Sequence, residues 1–380
     1  MSGNAEEKKG RMAGRPVRGS MASSYAARMD AIRVPHDRFR KAAESIGRTI
    51  QYAGSLKEVP CRMFSGPAGV GKSTLAEALQ GLYPAVPSRE APLDTDPDEP
   101  LVTAPNMPVV VLNMPTDPNP MNVCRAILEA LGDPDFDVGT KASLEKRLER
   151  CIKHMGVCAI LLDEAQRLVD RASVKAGQAI LDWMKDRQAR SRIVFILVGL
   201  GRLRNVFGDP QIWRRYDAVV RLLPYEWRDD RPESNDKDRA DFLGLVKAVQ
   251  RKSPLPFSKE VDVSCPEADL ILVGKRFFSA SQGRPGLLMK VLVNAAQQVD
   301  NGRAPPLITR ELLAVAFDEA IGERPEWPNP FSNGWRGEMC PPVEDDFQPP
   351  DIFANRLPRR RGRRSRSSQL ADARQSLRKR

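Results

Sequence analysis

Gly66-Pro67-Ala68-Gly69-Val70-Gly71-Lys72-Ser73-Thr74 decides the fold, because it meets the pattern G-x-x-x-x-G-K-[ST] at every fixed position. Each fixed residue type answers a requirement of holding a polyphosphate. Gly66, Gly69 and Gly71 open backbone conformations closed to residues with a Cβ, so successive N–H groups of the loop, Pro67 excepted, can turn toward phosphate oxygens. Lys72 can reach the β- and γ-phosphates, and the Ser73 hydroxyl can ligate Mg²⁺. Thr74 follows in the first turn of a helix whose positive end faces the same anion. The flanks agree. Cys61–Ser65 reads as a short buried strand, and Leu75, Ala76, Leu79 and Leu82 recur at helical spacing.

A second motif lies downstream. Val157–Leu162 is a continuous apolar run, as a strand buried on both faces requires, and it ends in Asp163-Glu164. At the carboxyl end of a central strand, Asp163 would hold Mg²⁺, mostly through water, and Glu164 would orient and polarise an attacking water. The plainer reading, a solvated acidic turn, loses weight because both motifs occur in the right order. Together they imply ATP and Mg²⁺ as cofactors.

The 380 residues suffice for two domains with full cores. No apolar run is long enough to span a bilayer, and the first residues lack the apolar centre of a signal peptide, so a cytoplasmic protein without membrane partners is expected. Six scattered cysteines without a C-x-x-C pair suggest reduced thiols. Cys151, His154 and Cys158 are too few for a structural zinc site. Cys151 falls on the apolar stripe of Leu144, Leu148, Ile152 and Met155, and Cys158 falls in the next strand; both read as core. The net charge of +11 is uneven: residues 1–33 carry +4, residues 356–380 carry +10, and the rest sums to −3. Basic ends on a near-neutral body are flexible arms drawn to polyanions.

Residues 1–33 read as a basic flexible arm, in which Gly14-Arg15-Pro16 is too short to assign. A helix follows Pro35, with Phe39, Ala42 and Ile46 on one face. Residues 84–107 read as a Pro- and Asp-rich loop insertion, followed by a buried strand at 109–114. Helices are expected near 120–131, 141–155 and 174–188, and strands at 193–199 and 218–223. Apolar strands alternating with amphipathic helices imply an α/β fold, a parallel five-stranded sheet between helices. The nucleotide-binding domain then spans 34–230. Helices near 237–251, 267–280, 286–299 and 309–321 make a small helical lid domain over 231–325. Residues 326–380 read as an extended tail without a packed fold, basic from 356.

This layout resembles an AAA+ P-loop NTPase. Residues from about 32 to 331 resemble more narrowly the TniB/TnsC family of transposition ATPases. The resembling pieces are Val34-Pro35-His36-Asp37-Arg38-Phe39, the phosphate loop, Leu162–Leu168 and Val198-Gly199. To these are added Asp209-Pro210-Gln211 with Arg214-Arg215-Tyr216, and Asn329-Pro330-Phe331. The resemblance implies a bacterial ATPase that binds double-stranded DNA as a homo-oligomer or filament. It would link a target-selection protein of the TniQ type to a DDE transposase of the TniA/TnsB type, with hydrolysis resetting the assembly. By position it implies nucleotide binding by the phosphate loop, Asp163 and Arg284, Mg²⁺ binding by Ser73 and Asp163, and catalysis by Lys72, Glu164 and Arg215. Arg215 is the first candidate for an arginine finger acting on a neighbouring subunit, Arg214 the second. Arg284, before the helix-starting Pro285, is either a sensor of the γ-phosphate or a solvated residue. Leu200 stands where the family usually has a polar residue after Val-Gly, which implies slow hydrolysis. Two other classes stay open: a helicase-loader-like or secretion-linked AAA+ ATPase, and a nucleotide-switched interaction protein with little hydrolysis.

Overall fold

Side chains along a β-strand alternate between its two faces, and each face here has its own core. The strands are β1 (Arg62–Ser65), β2 (Val109–Asn113), β3 (Ala159–Asp163), β4 (Val194–Gly199) and β5 (Val220–Arg221). They form one parallel sheet in the order β2-β3-β4-β1-β5. On one face, Met63, Ile160, Leu162, Phe195 and Leu197 pack with α4 (Pro120–Ala130), α5 (Lys141–His154) and α7 (Val174–Ser191). On the other, Phe64, Leu161, Ile196 and Val198 pack with α2 (Asp37–Ala53) and α3 (Lys72–Leu82). Each large apolar side chain so buried contributes about 1.5–3 kcal/mol.

The computed structural model describes residues 24–53, 61–86, 105–172, 174–203, 219–227, 232–266, 269–322 and 328–339. Arg214, Arg215, the segment 209–216, most of the 84–107 insertion, residues 1–23 and the basic tail lie outside them. Among the described residues no helix is long and apolar enough to cross a membrane.

The second body is helical: α8 (Pro232–Lys252), α9 (Leu270–Ser281), α10 (Pro285–Asp300) and α11 (Arg310–Ile321) surround a core that includes Phe242, Phe277, Leu292 and Phe317. Local chemistry sets their starts. The Asp269 and Thr309 side chains accept first-turn N–H groups of α9 and α11, and Pro285 opens α10.

The structure departs from the sequence reading at several points. Residues 25–30, assigned by composition to a flexible arm, form helix α1 (Tyr25–Asp30). Met29 is fully buried in the lid core, and the Tyr25 and Ala26 N–H groups each donate at 2.9 Å to the Asp300 carboxylate. One buried Met and one carboxylate at the right place outweigh an otherwise polar composition. The described residues of the expected unpacked tail, 328–339, are likewise anchored. Phe331 is in the lid core, and the Arg276 guanidinium donates to the Pro330 carbonyl and lies 4.9 Å from the centre of the Trp335 ring. β2 is an edge strand, so Asn113 is exposed rather than buried. β5 shrinks to two residues. Cys158 is exposed, because β3 begins one residue after it. A short helix not expected from the sequence, α6 (Arg167–Asp170), follows the acidic pair.

Phe331→Ala should destabilise the lid by about 3–5 kcal/mol, the usual cost of removing a buried Phe ring. Urea denaturation followed by tryptophan fluorescence reads this. A loss below about 1 kcal/mol would show that the 328–339 segment is not part of the lid core.

Candidate functional site

Parallel pairing sets the carboxyl ends of β3, β4 and β1 side by side, the edge of an open α/β sheet at which ligands bind. The Gly66 N–H donates to the Gly199 carbonyl at 3.2 Å, joining the root of the phosphate loop to the end of β4. The loop then turns through Gly69 at φ +80° and Gly71 at φ +97°, values that favour glycine. Gly71 caps α3 without a side chain, so the first-turn N–H groups of this helix remain available to an anion. The Lys72 ammonium donates to the Gly66 and Pro67 carbonyls at 2.9 and 2.7 Å, which folds it over the loop.

Asp163 ends β3 almost fully buried. Its Oδ2 accepts from the Ser73 hydroxyl at 2.7 Å, and its Oδ1 accepts from the Glu164 N–H at 2.7 Å. A hydroxyl and a carboxylate oxygen in contact are hard donors of the kind Mg²⁺ takes, so these two residues fit that ion. Glu164 sits at φ +56°, a left-handed conformation uncommon for a residue with a side chain. It turns the chain sharply out of the strand beside the loop. The Gln166 amide meets the Glu164 carboxylate, and its carbonyl oxygen accepts from the Leu200 N–H at 3.2 Å. Gln166 was visible in the sequence two residues beyond Glu164, but nothing in the spacing gave it a role.

The lid reaches this loop directly. Gly286, in the first turn of α10, donates its N–H to the Gly69 carbonyl at 2.7 Å. Arg284, 5 % exposed, directs its guanidinium at the Ala68 carbonyl, 3.5 Å away. Of the two placements open for Arg284, the structure shows the buried one, against the loop. The N-termini of α3 and α10 therefore flank the same loop, and both favour negative charge there. A cavity of about 630 Å³ is lined by residues that include Gly71, Thr74, Val34, Phe39, Leu288 and Met289. That volume is in the range of small-molecule sites.

Next to the cavity-lining His36, Arg38 ties the start of α2 to the segment before α8. Its guanidinium donates to the Leu223 and Pro224 carbonyls, pairs with Asp238 and lies 4.6 Å from the centre of the Tyr225 ring. His36 meets the same Tyr225 edge-on at 5.7 Å. Burial first, and the neighbouring Arg38 and Arg40 second, push the imidazole down to about 4, against a smaller opposing pull from Asp241 and Asp37.

With this geometry in place, the class of protein follows. The fold is the AAA+ P-loop fold, and residues 59–207 match the family model of the AAA domain. Among solved structures, the chain is similar to Cdc6p from Pyrobaculum aerophilum (TM-score 0.50, 14% identity, covering 76% of this chain and 68% of that one). It is also similar to the ADP form of the Aeropyrum pernix ORC2 protein (TM-score 0.50, 15% identity, 77% and 72% covered). At such identities the likeness is one of fold. No curated protein matches the sequence.

The structure thus brings the phosphate loop, Asp163, Glu164 and Arg284 into one site; Arg215 lies outside the described residues. His36 provides a test of the cavity lining. Its folded value of about 4 lies below the value of 6.5 expected in the unfolded chain, so the unfolded state binds more protons between these limits. Stability should fall as pH drops from about 6.5 toward 4. His36→Gln should flatten that decline, measured as the difference in urea midpoint between pH 7 and pH 5. Equal declines in the two proteins would show that His36 titrates normally in the fold.

Proposed function

We propose that the protein is an ATP-dependent DNA-binding transposition regulator of the TniB/TnsC kind. It oligomerises on target DNA and links a target-selection protein of the TniQ type to a DDE transposase, and ATP hydrolysis resets the assembly. The observation that carries the reading is the convergence of Lys72, the Ser73–Asp163 pair, Glu164 and Arg284 on one phosphate-binding loop beneath a helical lid. The narrower family assignment rests on the Pro35-His36 entry and on Asp209-Pro210-Gln211 running into Arg214-Arg215-Tyr216. The DNA partner is supported by the +4 and +10 charges at the two ends of the chain.

In this reading the loop N–H groups and Lys72 hold the phosphates, and Arg284 and the start of α10, already against the loop, face the terminal phosphate. Ser73 and Asp163 hold Mg²⁺, which neutralises charge on the phosphate oxygens. Glu164 orients and polarises the attacking water. Arg215, or Arg214 beside it, acts on a nucleotide of the adjacent subunit, so that hydrolysis depends on assembly. A second reading, a nucleotide switch with little hydrolysis, draws support from the apolar Leu200 at the end of β4.

Lys72→Ala should abolish ATP-dependent assembly on DNA, because it removes the cation placed over the loop. Glu164→Gln should bind ATP and keep its assemblies long after wild type has released them. Electron microscopy and nucleotide-release assays with duplex DNA check both. Wild-type affinity in Lys72→Ala would overturn the site. Turnover equal in wild type and Glu164→Gln would favour the second reading.

Deleting residues 356–380 should weaken DNA capture and leave ATP binding intact. If roughly six tail arginines engage phosphates, the slope of log affinity against log salt should flatten by about five units. Parallel salt lines for the two proteins would assign the tail to a protein partner instead.

A further inference from the structure

We infer that Gln166 is a positioning residue for hydrolysis: its amide spans from the end of β4 to Glu164 and fixes the direction of that carboxylate. The inference rests on the ATPase reading above. Its ground is a chain of contacts outside the phosphate loop.

The orientation of the amide is determined by its partners. The Leu200 backbone N–H, 3.2 Å away, can only donate, so the side of Gln166 facing it must be the carbonyl oxygen. The NH₂ group must then face the other way, where it donates to Glu164 Oε2. A carboxylate accepts and an amide N–H donates, so both ends match in one orientation alone. Gln166 is nearly fully buried, and removing either partner would leave a buried polar group unsatisfied.

The surrounding chain is shaped to keep it there. A Cβ on Gly199 would come within 2.6 Å of the Gln166 carbonyl oxygen and 3.0 Å of its backbone nitrogen. Any side chain at that position would displace the amide. The Ala165 N–H donates to the Val198 carbonyl at 2.9 Å, pinning the turn between Glu164 and Gln166 against β4. Glu164 itself leaves the strand at φ +56° and is half-buried. An amide N–H on Oε2 sets the plane of the carboxylate. It thereby sets where Oε1 presents its lone pairs to a water. Preorganised contacts of this kind, one step removed from the chemistry, commonly contribute about 10–100-fold to activity.

The test uses full-length protein with duplex DNA. Gln166→Leu preserves bulk and removes both hydrogen bonds. Its kcat should fall about 10–100-fold, while its affinity for a fluorescent ATP analogue stays within about two-fold of wild type. Exchange of the Leu200 amide hydrogen, measured without nucleotide, should speed up, since its acceptor is gone. Gly199→Ala, which pushes the amide aside, should reproduce the kcat loss and the faster exchange.

A Gln166→Leu protein with wild-type kcat and unchanged Leu200 exchange overturns the inference. So does a kcat loss matched by an equal loss of nucleotide affinity, which would mark a structural role. If Glu164→Gln abolishes turnover and Gln166→Leu leaves it intact, only this inference fails. A wild-type protein without turnover overturns the hydrolytic reading and this inference with it.

Discussion

The hydrogen bond from Gly66 N–H to the Gly199 carbonyl is the constraint on which the site depends. It joins two loops that leave neighbouring parallel strands at the same level. With β4 lying between β1 and β3, the phosphate loop and the Asp163-Glu164 turn stand on either side of one strand end. The Ser73–Asp163 contact then needs no long reach, although 90 residues separate the partners in sequence. A sheet covered on both faces holds this arrangement rigidly. Loss of a core side chain such as Phe195 or Leu161 would be felt as a shift in the site as well as a loss of stability.

The lid is attached more lightly and at particular points. Gly286 and Arg284 touch the loop, and Arg38 ties the start of α2 to the segment leading into α8. These contacts are polar, whereas the two bodies each have a large apolar core. Polar contacts between well-packed bodies can rearrange at small cost, while the cores resist deformation. An anion in the loop acts on the N-termini of α3 and α10 together. The Arg284 side chain stands against the same loop, 3.5 Å from the Ala68 carbonyl.

The fold was largely legible in the sequence because its signals are local. Apolar strands buried on both faces, the helical spacing of Leu75, Ala76 and Leu79, and the glycine pattern of the loop all act within a few residues of themselves. What escaped was set by distant partners. Nothing near Tyr25 indicates that Asp300 will accept its N–H, and nothing near Asn329 shows that Phe331 will enter the lid core. The burial of Arg284 and the role of Gln166 escaped for the same reason. Each depends on a backbone group brought in from elsewhere, the Ala68 carbonyl for one and the Leu200 N–H for the other. The edge position of β2 is a matter of strand order, which a pattern of apolar runs does not encode.

The route of the N-terminal segment ties these features together. Ser24 caps α1, α1 rests on Asp300 at the end of α10, and Met29 is locked in the lid core. The chain then passes Arg33, whose carbonyl accepts from Lys252 on α8 at 2.7 Å and whose guanidinium reaches Glu77 on α3 at 3.4 Å. Asp30, Ile32 and Val34 line the cavity beside the loop before α2 begins. One continuous stretch therefore touches the lid, the nucleotide-side cavity and the helix that follows the phosphate loop. The exposed Arg33–Glu77 pair adds little stability in water. The buried Met29 adds much more and fixes the stretch to the lid core.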